Sequence, residues 1–410
     1  MTTLKLKLTD MAYGGSALGR DKNNRVVFVP RAIPGETVEV ELTKDDKKYA
    51  EGIVTAIIEP AAERVAPRCA HFDEQTCSHF QHINYEAQLT IKREVILDQL
   101  KRIGGVDGHV EAVWPSPKIW ESQTEVVLSP TEDGRFGYWS AVQQQVIPVS
   151  DCYLLDPALQ QLMQDFDIEL PDLRKMTLRV GYDGELLVAL ETTDMEPPSL
   201  EVDFPVSVTI VLPDETTANL IGDLTVTQLI KERAFQVSAG CYFYPNPGAT
   251  ARLIDAVLQY AAVDEDDIVL ELFSGVGIIT AFLAEQAGDV FGIEINGDAI
   301  ADAAVNLDEF DNVSLYEAFV VDALPLISIA PTVMVADPPE EGLTPEIIRA
   351  MVYKRPERIV YISHDVATLA RDVKTFGRSG YQLQAVQPVD MRPHTYHTDC
   401  VALLVPIPQP

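Results

Sequence analysis

A glycine-rich turn followed by a carboxylate is the group of residues in this chain that most clearly indicates chemistry. The apolar run Ile268 to Leu272 precedes Gly275 and Gly277, and Glu294 follows about twenty residues later. Glycines allow a sharp turn that brings bare backbone close to a ligand, and a carboxylate at the end of the next strand can accept both hydroxyls of a ribose. The segment therefore predicts a pocket for a ligand that contains adenosine.

The turn differs from the dinucleotide pattern in one respect. Gly-Val-Gly at 275–277 lacks the third glycine of GxGxxG, so the helix predicted at 278–286 does not begin in a way that suits a pyrophosphate. S-adenosylmethionine (SAM) contains adenosine without a pyrophosphate and therefore fits better than NAD. A purely structural role for these glycines is the alternative.

Further polar residues follow later strands of the same region. Asp337 precedes two prolines, His364 follows the strand predicted at 358–363, and Asp399 lies close to the C-terminus. Ligands bind at the carboxyl ends of strands in open α/β sheets, so Asp337 and His364 should face the pocket. The Asp-Pro-Pro loop can accept hydrogen bonds from a base turned into the site.

The elements that position these residues divide the chain into three predicted parts. Alternating strand-like segments from Leu4 to Glu59 predict a five-stranded OB-like β-barrel at 1–62, a fold that commonly binds nucleic acid. Residues 63–235 predict a cysteine-bearing loop, a helix at 85–103 and a mostly antiparallel α+β middle domain. Residues 236–410 predict a doubly wound α/β domain, with strands at 268–272, 290–295, 313–316, 332–336 and 358–363 and a final antiparallel pair.

Composition predicts a soluble protein of several domains. The 410 residues are 47% hydrophobic, with no apolar run of membrane length and no secretory core at the start, so a cytoplasmic location is expected. The chain has five cysteines, an odd number that does not suit a disulfide framework, so reduced thiols or a metal site are expected. The composition leaves the oligomeric state open, and we expect a monomer.

The net charge of −32 is unevenly distributed. Residues 1–110 hold 15 Lys and Arg against 16 Asp and Glu, which leaves 16 against 47 for residues 111–410. The acidic excess of the later part repels a polyanion unless positive charge is concentrated somewhere, whereas the first part is nearly balanced. An acidic solubilising surface is the simplest interpretation of the excess.

Motifs in order along nearly the whole chain resemble the SAM-dependent RNA (uracil-5)-methyltransferase family. The N-terminal segments YGGSALGR and VVFVPRAIPGETVEVEL resemble its RNA-binding TRAM domain. The later segments YFYPNPGATARL, ELFSGVGIITAFLA, GIEI, ADPPEEGL, YISHDVATLARDV and DMRPHTYHTDCVALL follow its class I methyltransferase motifs. The resemblance implies SAM as cofactor, RNA as partner and methylation of C5 of a uridine in tRNA or rRNA.

The resemblance also implies a set of cofactor-binding residues. They are Tyr244, Asn246, Glu271, Phe273, Ser274, Gly275, Gly277, Ile278, Glu294, Asp322 and Asp337. Two of these positions depart from the family: Tyr244 replaces a glutamine that usually contacts SAM, and Ile278 replaces a residue that is often polar.

The catalytic positions depart from the family more strongly. His364 stands where a cysteine attacks C6 of uracil, and Asp399 stands where a glutamate removes the C5 proton, so the implied catalytic residues are His364, Asp399 and Asp337. A neutral imidazole is a weaker nucleophile than a thiolate. Cys400 is adjacent, but strand alternation turns it to the opposite face. Glu340 and Glu341 replace a common Arg-Lys pair, which removes positive charge from a phosphate-binding corner.

Some relatives hold a four-iron, four-sulfur cluster. Cys69 and Cys152 match its first and last cysteines, the two middle positions fall on Gln75 and Ser78, and Cys77 is the nearby thiol. Three cysteines do not complete that cluster, so an iron-sulfur cluster is not expected. One interpretation is a loop that has lost its cluster. The alternative is a site of Cys69, Cys77 and Cys152 with His79, a ligand set that suits zinc as well as iron.

Two functions from different classes remain open at this point. The first is an enzyme that methylates an RNA base, at C5 of uridine or at a nitrogen, where no covalent adduct is needed and Asp337 with His364 could accept a proton. The second is a catalytically inactive relative that keeps RNA, SAM or protein binding.

Overall fold

The structure, a computed structural model, describes residues 3–74, 78–140, 143–165, 170, 172–196, 202–214 and 216–408. Its N-terminal part is a closed barrel of five strands in the order β1-β2-β3-β5-β4. The strands are β1 (Thr3–Met11), β2 (Ser16–Arg20), β3 (Val26–Pro30), β4 (Thr37–Asp45) and β5 (Tyr49–Glu59). Alternate residues such as Val27, Val29, Val38 and Val40 fill its interior. The predicted barrel is confirmed.

A helix leads from the barrel into the middle part. Helix α1 (Tyr85–Gln99) begins at Asn84, whose side chain accepts a hydrogen bond from the Ala87 backbone. It continues as a π-helical turn (Leu100–Gly104) and ends at Gly105, which has a left-handed conformation. The predicted helix at 85–103 thus corresponds to these two consecutive segments.

A seven-stranded sheet forms most of the middle part. Its order is β12-β11-β10-β9-β6-β7-β8, and only the neighbours β10 and β11 are parallel among the described residues. Helix α2 (Pro157–Asp165) contributes Leu159 and Leu162 to its core. The strands are β6 (Glu125–Pro130), β7 (Phe136–Ser140), β8 (Gln145–Pro148), β9 (Leu173–Val180), β10 (Leu186–Thr192), β11 (Ser207–Val211) and β12 (Thr217–Ile221).

A hairpin of β13 (Thr225–Ile230) and β14 (Arg233–Ser238) precedes the last part. Its residues Phe235 and Val237 lie in the same buried cluster as Leu253 of the following helix. The predicted boundary between residues 235 and 236 falls inside β14.

The C-terminal part is a seven-stranded sheet in the order β17-β16-β15-β18-β19-β21-β20. Its strands are parallel except β21, which is antiparallel to both neighbours. The strands are β15 (Ile268–Leu272), β16 (Asp289–Glu294), β17 (Val313–Glu317), β18 (Val333–Ala336), β19 (Arg358–Ser363), β20 (Tyr381–Val389) and β21 (Asp399–Pro406). The helices are α3 (Pro247–Ala261), α4 (Ile278–Ala284), α5 (Gly297–Asn306), α6 (Val320–Leu326), α7 (Pro345–Tyr353) and α8 (Val366–Arg378).

Both faces of this sheet are buried. Val269 and Val333 belong to one hydrophobic cluster, whereas the next residues along each strand, Leu270 and Met334, belong to the other. A strand covered on both faces reads as a continuous apolar run, which is how these strands appear in the sequence. The predicted doubly wound α/β domain is confirmed.

Several polar contacts join the N-terminal parts to this domain, and two of them lie close to its carboxyl-terminal sheet edge. Tyr13, in the barrel, donates a hydrogen bond to the carboxylate of Asp365. Lys92 of α1 forms a fully buried ion pair with Asp390 in the loop before β21. Among the described residues, no helix is both long and apolar enough to cross a membrane.

Candidate active site

The predicted site residues come together at one edge of the C-terminal sheet. Phe273 follows β15, Glu294 ends β16, Asp337 follows β18 and His364 follows β19, so all four lie at carboxyl ends of parallel strands. Asp399 is the first residue of β21, and because β21 is antiparallel, its start reaches the same edge. The sheet therefore brings together residues that are more than 120 positions apart in the sequence.

The turn after β15 requires glycine. Gly275 and Gly277 have φ values of 53° and 85°, in the left-handed region that side chains disfavour. A Cβ atom on Gly277 would lie 2.8 Å from Cδ1 of Leu307, so the helix α4 could not approach α5 as closely. Phe273 also has a positive φ of 63°, and such strain is typical of functional turns.

A cavity of about 570 Å³ opens at this edge. Its size and its mixed apolar and polar wall are typical of sites for small molecules, and a nucleoside fits the volume. The predicted cofactor-binding residues that line it are Tyr244, Glu271, Phe273, Ser274, Gly275, Ile278, Glu294 and Asp337.

Backbone amides fix the carboxylate of Glu294. One oxygen accepts a hydrogen bond from Gly275 N at 3.0 Å, and the other accepts from Ile295 N at 2.7 Å and Asn296 N at 2.8 Å. An ionised carboxylate offers about four acceptor positions, so the group keeps capacity for a ligand hydroxyl. This arrangement fits the ribose contact expected from the sequence.

A second carboxyl group, Glu271, lies in the cavity wall beneath the turn. Its side chain is 1% exposed, and the hydroxyl of Thr280 donates to it at 2.6 Å. Burial raises the pKa of Glu271 to about 8, because a charge is poorly solvated there. Glu271 is therefore mostly neutral at pH 7.

Three residues of the predicted cofactor set do not line the cavity. Asn246 begins α3, accepts a hydrogen bond from Ala249 N and donates to Ser116 and to the Met391 carbonyl. Gly277 lies behind the turn, where it permits close helix packing. Asp322 is exposed in the first turn of α6 and lines a neighbouring surface groove.

The predicted catalytic residues form a chain of contacts with His364 at its centre. Its Nδ1 atom lies 3.0 Å from Oδ2 of Asp399, and its Nε2 atom lies 3.0 Å from Oδ1 of Asp337. Burial by itself lowers the pKa of His364, but the two carboxylates outweigh this effect and raise the pKa to about 10. Conversely, burial raises the pKa of Asp399, but the histidine charge lowers it below its ordinary value.

His364 is therefore an imidazolium at neutral pH, with both N–H groups donating to carboxylates. This differs from the neutral imidazole considered from the sequence, because the sequence did not show that two carboxylates would lie on opposite sides of the ring. In this protonation state the ring has no lone pair with which to attack a carbon or accept a proton.

Two tyrosines form an aromatic wall beside His364. The Tyr244 hydroxyl donates to Asp337, and burial together with that carboxylate raises the pKa of Tyr244 well above its ordinary value. The ring centres of Tyr242 and Tyr244 lie 6.1 and 5.9 Å from that of His364. Tyr242 is 55% exposed, so its ring is accessible from solvent.

Cys400 is adjacent to Asp399 but does not line the cavity. It is fully buried in the hydrophobic cluster that contains Tyr361 and Ala402. Burial raises the pKa of its thiol above the ordinary value. The expectation that strand alternation turns Cys400 away from Asp399 agrees with this placement.

The predicted metal ligands are only partly described. Cys77 lies outside the described residues, Cys69 has intermediate burial, and Cys152 is buried beside the Tyr138 hydroxyl at 3.8 Å. Within the described ranges, no group of three or more His, Cys, Asp or Glu residues could hold a metal ion. The absence of an iron-sulfur cluster stays a prediction.

Several residues of the cavity wall were not predicted from the sequence, and two of them bear on its chemistry. Tyr242 and Arg392 both line the cavity. Tyr242 stands two positions before Tyr244, a spacing that in an extended segment places two side chains on one face and could have indicated it. Arg392 has no such signal, because its position depends on how the loop before β21 folds.

The strand order, the glycine turn and the carboxylate at the end of β16 define a class I methyltransferase domain, joined here to an N-terminal β-barrel. Residues 2–55 match the model of the TRAM domain. An uncharacterized RNA methyltransferase of Clostridium tetani is 30% identical, with 98% of this chain and 96% of the relative covered. Another from Synechocystis sp. is 29% identical, with the same coverage.

A solved structure has the same fold over nearly the whole chain. The tRNA (uracil-54, C5)-methyltransferase of Pyrococcus abyssi, in complex with S-adenosyl-L-homocysteine, superposes with a TM-score of 0.72 and 23% identity, covering 98% of this chain and all of the other. The chain belongs to the family of TRAM-domain RNA methyltransferases. The predicted enzyme class, an RNA methyltransferase, is thereby confirmed.

Proposed function

We propose that this protein methylates an exocyclic amine of a base in RNA by direct transfer, without a covalent bond between enzyme and base. The observation that carries the proposal is the contact of both ring nitrogens of His364 with carboxylates, each at 3.0 Å. SAM supplies a methyl group on a positively charged sulfur. The acceptor atom decides what else the protein must contribute.

Methylation of C5 of uridine needs a nucleophile that first attacks C6, since C5 is otherwise unreactive. His364 occupies the position of that nucleophile, but its two N–H groups are engaged by Asp337 and Asp399. Loss of a proton from this ring would remove the positive charge between two carboxylates and leave them with one ring N–H and the Tyr244 hydroxyl as donors, which is unfavourable. The site therefore gives little support to covalent activation of a pyrimidine.

An exocyclic amine requires less from the protein. Its nitrogen carries the lone pair that forms the new bond to the methyl carbon while the bond from that carbon to sulfur breaks, with S-adenosylhomocysteine as the leaving group. The methylated nitrogen, briefly cationic, is a strong acid that readily gives its proton to a carboxylate. Asp337 lines the cavity beside the Pro-Pro loop and can accept both the initial N–H hydrogen bond and the released proton. Its contacts with Tyr244 and His364 hold this carboxylate in place.

The aromatic wall supports a base as the acceptor. A base turned out of an RNA strand needs a flat apolar surface on which to stack, and the exposed Tyr242 ring lies 5.6 Å from the Tyr244 ring, centre to centre. Both rings lie next to Asp337 and His364. The cavity thus offers a stacking surface beside a proton acceptor.

The test is transfer from SAM labelled in its methyl group to RNA from cells that lack the protein, followed by mass spectrometry of the nucleosides. We expect a methylated amine on adenosine, cytidine or guanosine, and we expect Asp337→Asn to abolish the product. A product methylated only at C5 of uridine would overturn the proposal.

The second candidate is methylation of C5 of uridine in tRNA or rRNA, which the family motifs imply. The observation that favours it is the direct contact of His364 with Asp399, the residues at the positions of the nucleophile and the base. RNA containing 5-fluorouridine separates the two candidates, because covalent activation traps an adduct that survives denaturation, whereas direct transfer traps none.

The catalytically inactive alternative makes a third, separate prediction. In that case calorimetry detects SAM binding, while RNA from cells with and without the protein has the same methylated nucleosides. Glu294→Ala is the control in each assay, because it removes the expected ribose contact without changing His364 or Asp337.

A further inference from the structure

The cavity wall carries charges of both signs. Among the described residues, it holds the carboxylates Glu294, Asp337, Glu340 and Glu341 and two cations, the imidazolium of His364 and the guanidinium of Arg392. His364 uses both N–H groups within the site. Arg392 is therefore the lining cation whose donors can turn to a substrate.

Arg392 contacts Glu340, which lies in the corner where two glutamates replace the Arg-Lys pair that is common in the family. Its Nη1 atom lies 3.5 Å from Oε1 of Glu340, which replaces the arginine common in the family. The Glu340 side chain is 58% exposed and that of Arg392 is 25% exposed, so this pair lies where the cavity meets solvent. It links the Pro-Pro loop after β18 to the loop before β21 across the entrance.

Hydrogen bonds from two side chains fix the backbone carbonyl of Arg392. The buried ammonium group of Lys92 donates to the Arg392 carbonyl at 3.3 Å and to the His397 carbonyl at 2.8 Å, and it pairs with Asp390. The hydroxyl of Thr395 also donates to the Arg392 carbonyl, at 2.7 Å. A guanidinium on a fixed backbone loses less conformational freedom when it binds a ligand.

We propose that Arg392 binds a phosphate of the substrate RNA at the cavity entrance, and that Glu340 occupies the guanidinium until the phosphate displaces it. A guanidinium matches the geometry of phosphate and can form two parallel hydrogen bonds with it. At the guanidinium one anion replaces another, and the displaced Glu340 side chain, which is 58% exposed, turns to solvent. The proposal rests on RNA as the substrate but not on which base atom is methylated.

The experiment measures binding without turnover. Full-length protein saturated with S-adenosylhomocysteine is titrated against a fluorescein-labelled single-stranded RNA of mixed sequence, and anisotropy is followed at several salt concentrations. We expect Arg392→Gln to weaken RNA binding about tenfold and to reduce the salt slope by about one, as expected for one lost phosphate contact. Glu340→Gln should tighten RNA binding several-fold, because it removes the competing anion.

Two controls separate this role from general effects of charge. Arg349→Gln removes a guanidinium that also pairs with a glutamate, Glu346 at 2.6 Å, but does not line the cavity. We expect it to change RNA affinity less than twofold, about the weak effect of a single distant charge. Arg392→Lys keeps the charge without the planar fork and should have intermediate affinity.

The affinity for S-adenosylhomocysteine itself, measured by calorimetry, identifies which anion Arg392 binds. If Arg392→Gln weakens binding of this molecule but not of RNA, the guanidinium binds the carboxylate of the cofactor's amino-acid part and the proposal is wrong. Equal RNA affinities of the Arg392 and Arg349 variants would also overturn it, as would weaker RNA binding by Glu340→Gln. A failure of amine methylation would leave all of these binding results unchanged.

Discussion

His364 links the chemistry of the site to the stability of the fold. Because its pKa is raised from 6.5 to about 10 in the folded protein, its stabilising contribution is fully present below pH 6.5 and is lost as the pH rises through 10. We expect His364→Gln to lower the free energy of unfolding by about 3 kcal/mol at pH 6.5, since it leaves buried carboxylates without their partner. The deficit should shrink steadily towards pH 10.

Urea denaturation of both proteins across this pH range is the measurement. His109→Gln is the matched control, because His109 is exposed and contacts a carboxylate of Glu111 at 2.9 Å. Its free energy of unfolding should stay close to that of the natural protein throughout. A deficit of His364→Gln that is the same at pH 6.5 and pH 10 would show that the histidine is not an imidazolium.

The raised pKa of Glu271 predicts that binding of the cofactor releases a proton from the protein. With a pKa of about 8, it is partly protonated at pH 8, and a nearby sulfonium favours its ionised form. We expect SAM binding at pH 8 to release more protons than binding of S-adenosylhomocysteine, whose sulfur is uncharged. Calorimetry in two buffers of different ionisation enthalpy measures the difference, and Glu271→Gln should abolish it. Equal proton release for both ligands in the natural protein would contradict this assignment.

At the scale of elements, Asn246 shows how a site residue expected from a motif can be structural. Its side chain caps α3 and also donates to Ser116 and Met391. We expect Asn246→Ala to lower the free energy of unfolding by about 2 kcal/mol, from the cap and the buried partners left unpaired. SAM affinity should fall less than in Glu294→Ala.

Asn84→Ala is the control for this prediction, because Asn84 caps α1 through a single hydrogen bond to Ala87 N at 2.9 Å. It should cost about 1 kcal/mol, the usual value for a cap alone. Chemical denaturation and calorimetry of the three variants provide the comparison. A larger loss of SAM affinity in Asn246→Ala than in Glu294→Ala would place Asn246 among the cofactor contacts.

The strands of the C-terminal sheet were the part of the fold most readily predicted. β15 and β19 have the predicted ends, and the other predicted parallel strands differ by one residue at one or both ends, because strands buried on both faces give unbroken apolar runs between polar turns. The cavity wall was harder to predict. Residues that follow β15, β16, β18 and β19 could be expected at one edge, whereas Arg392 reaches it from a loop with no periodic pattern.

At the scale of the whole molecule, the N-terminal parts help to shape the catalytic edge. The barrel contacts Asp365, next to His364, through Tyr13, and α1 holds the loop before Asp399 through Lys92. Neither contact was predicted, because each joins residues about 300 or more positions apart and nothing in their local sequence indicates a partner. The order of the parts could be predicted, but not the contacts between them.

The ion pair of Lys92 and Asp390 tests this coupling, because both side chains are fully buried and lie on different parts of the chain. Lys92→Met leaves the Asp390 carboxylate buried, and among the described residues the side-chain donor that remains to it is the Tyr85 hydroxyl, at 2.7 Å. We expect it to lower the free energy of unfolding by about 4 kcal/mol, as for other broken buried pairs. The double variant Lys92→Met with Asp390→Asn should recover most of this stability, because no uncompensated charge remains.

In this double variant, RNA affinity should recover less than the free energy of unfolding does. The double variant still lacks the donor to the carbonyls of Arg392 and His397, so the loop at the cavity entrance is less well fixed. We expect RNA affinity to stay several-fold below that of the natural protein even where denaturation curves nearly coincide, and anisotropy titrations measure it. If RNA affinity and stability recovered together, Lys92 would serve only to hold the parts of the chain together, and the entrance would keep its shape without it.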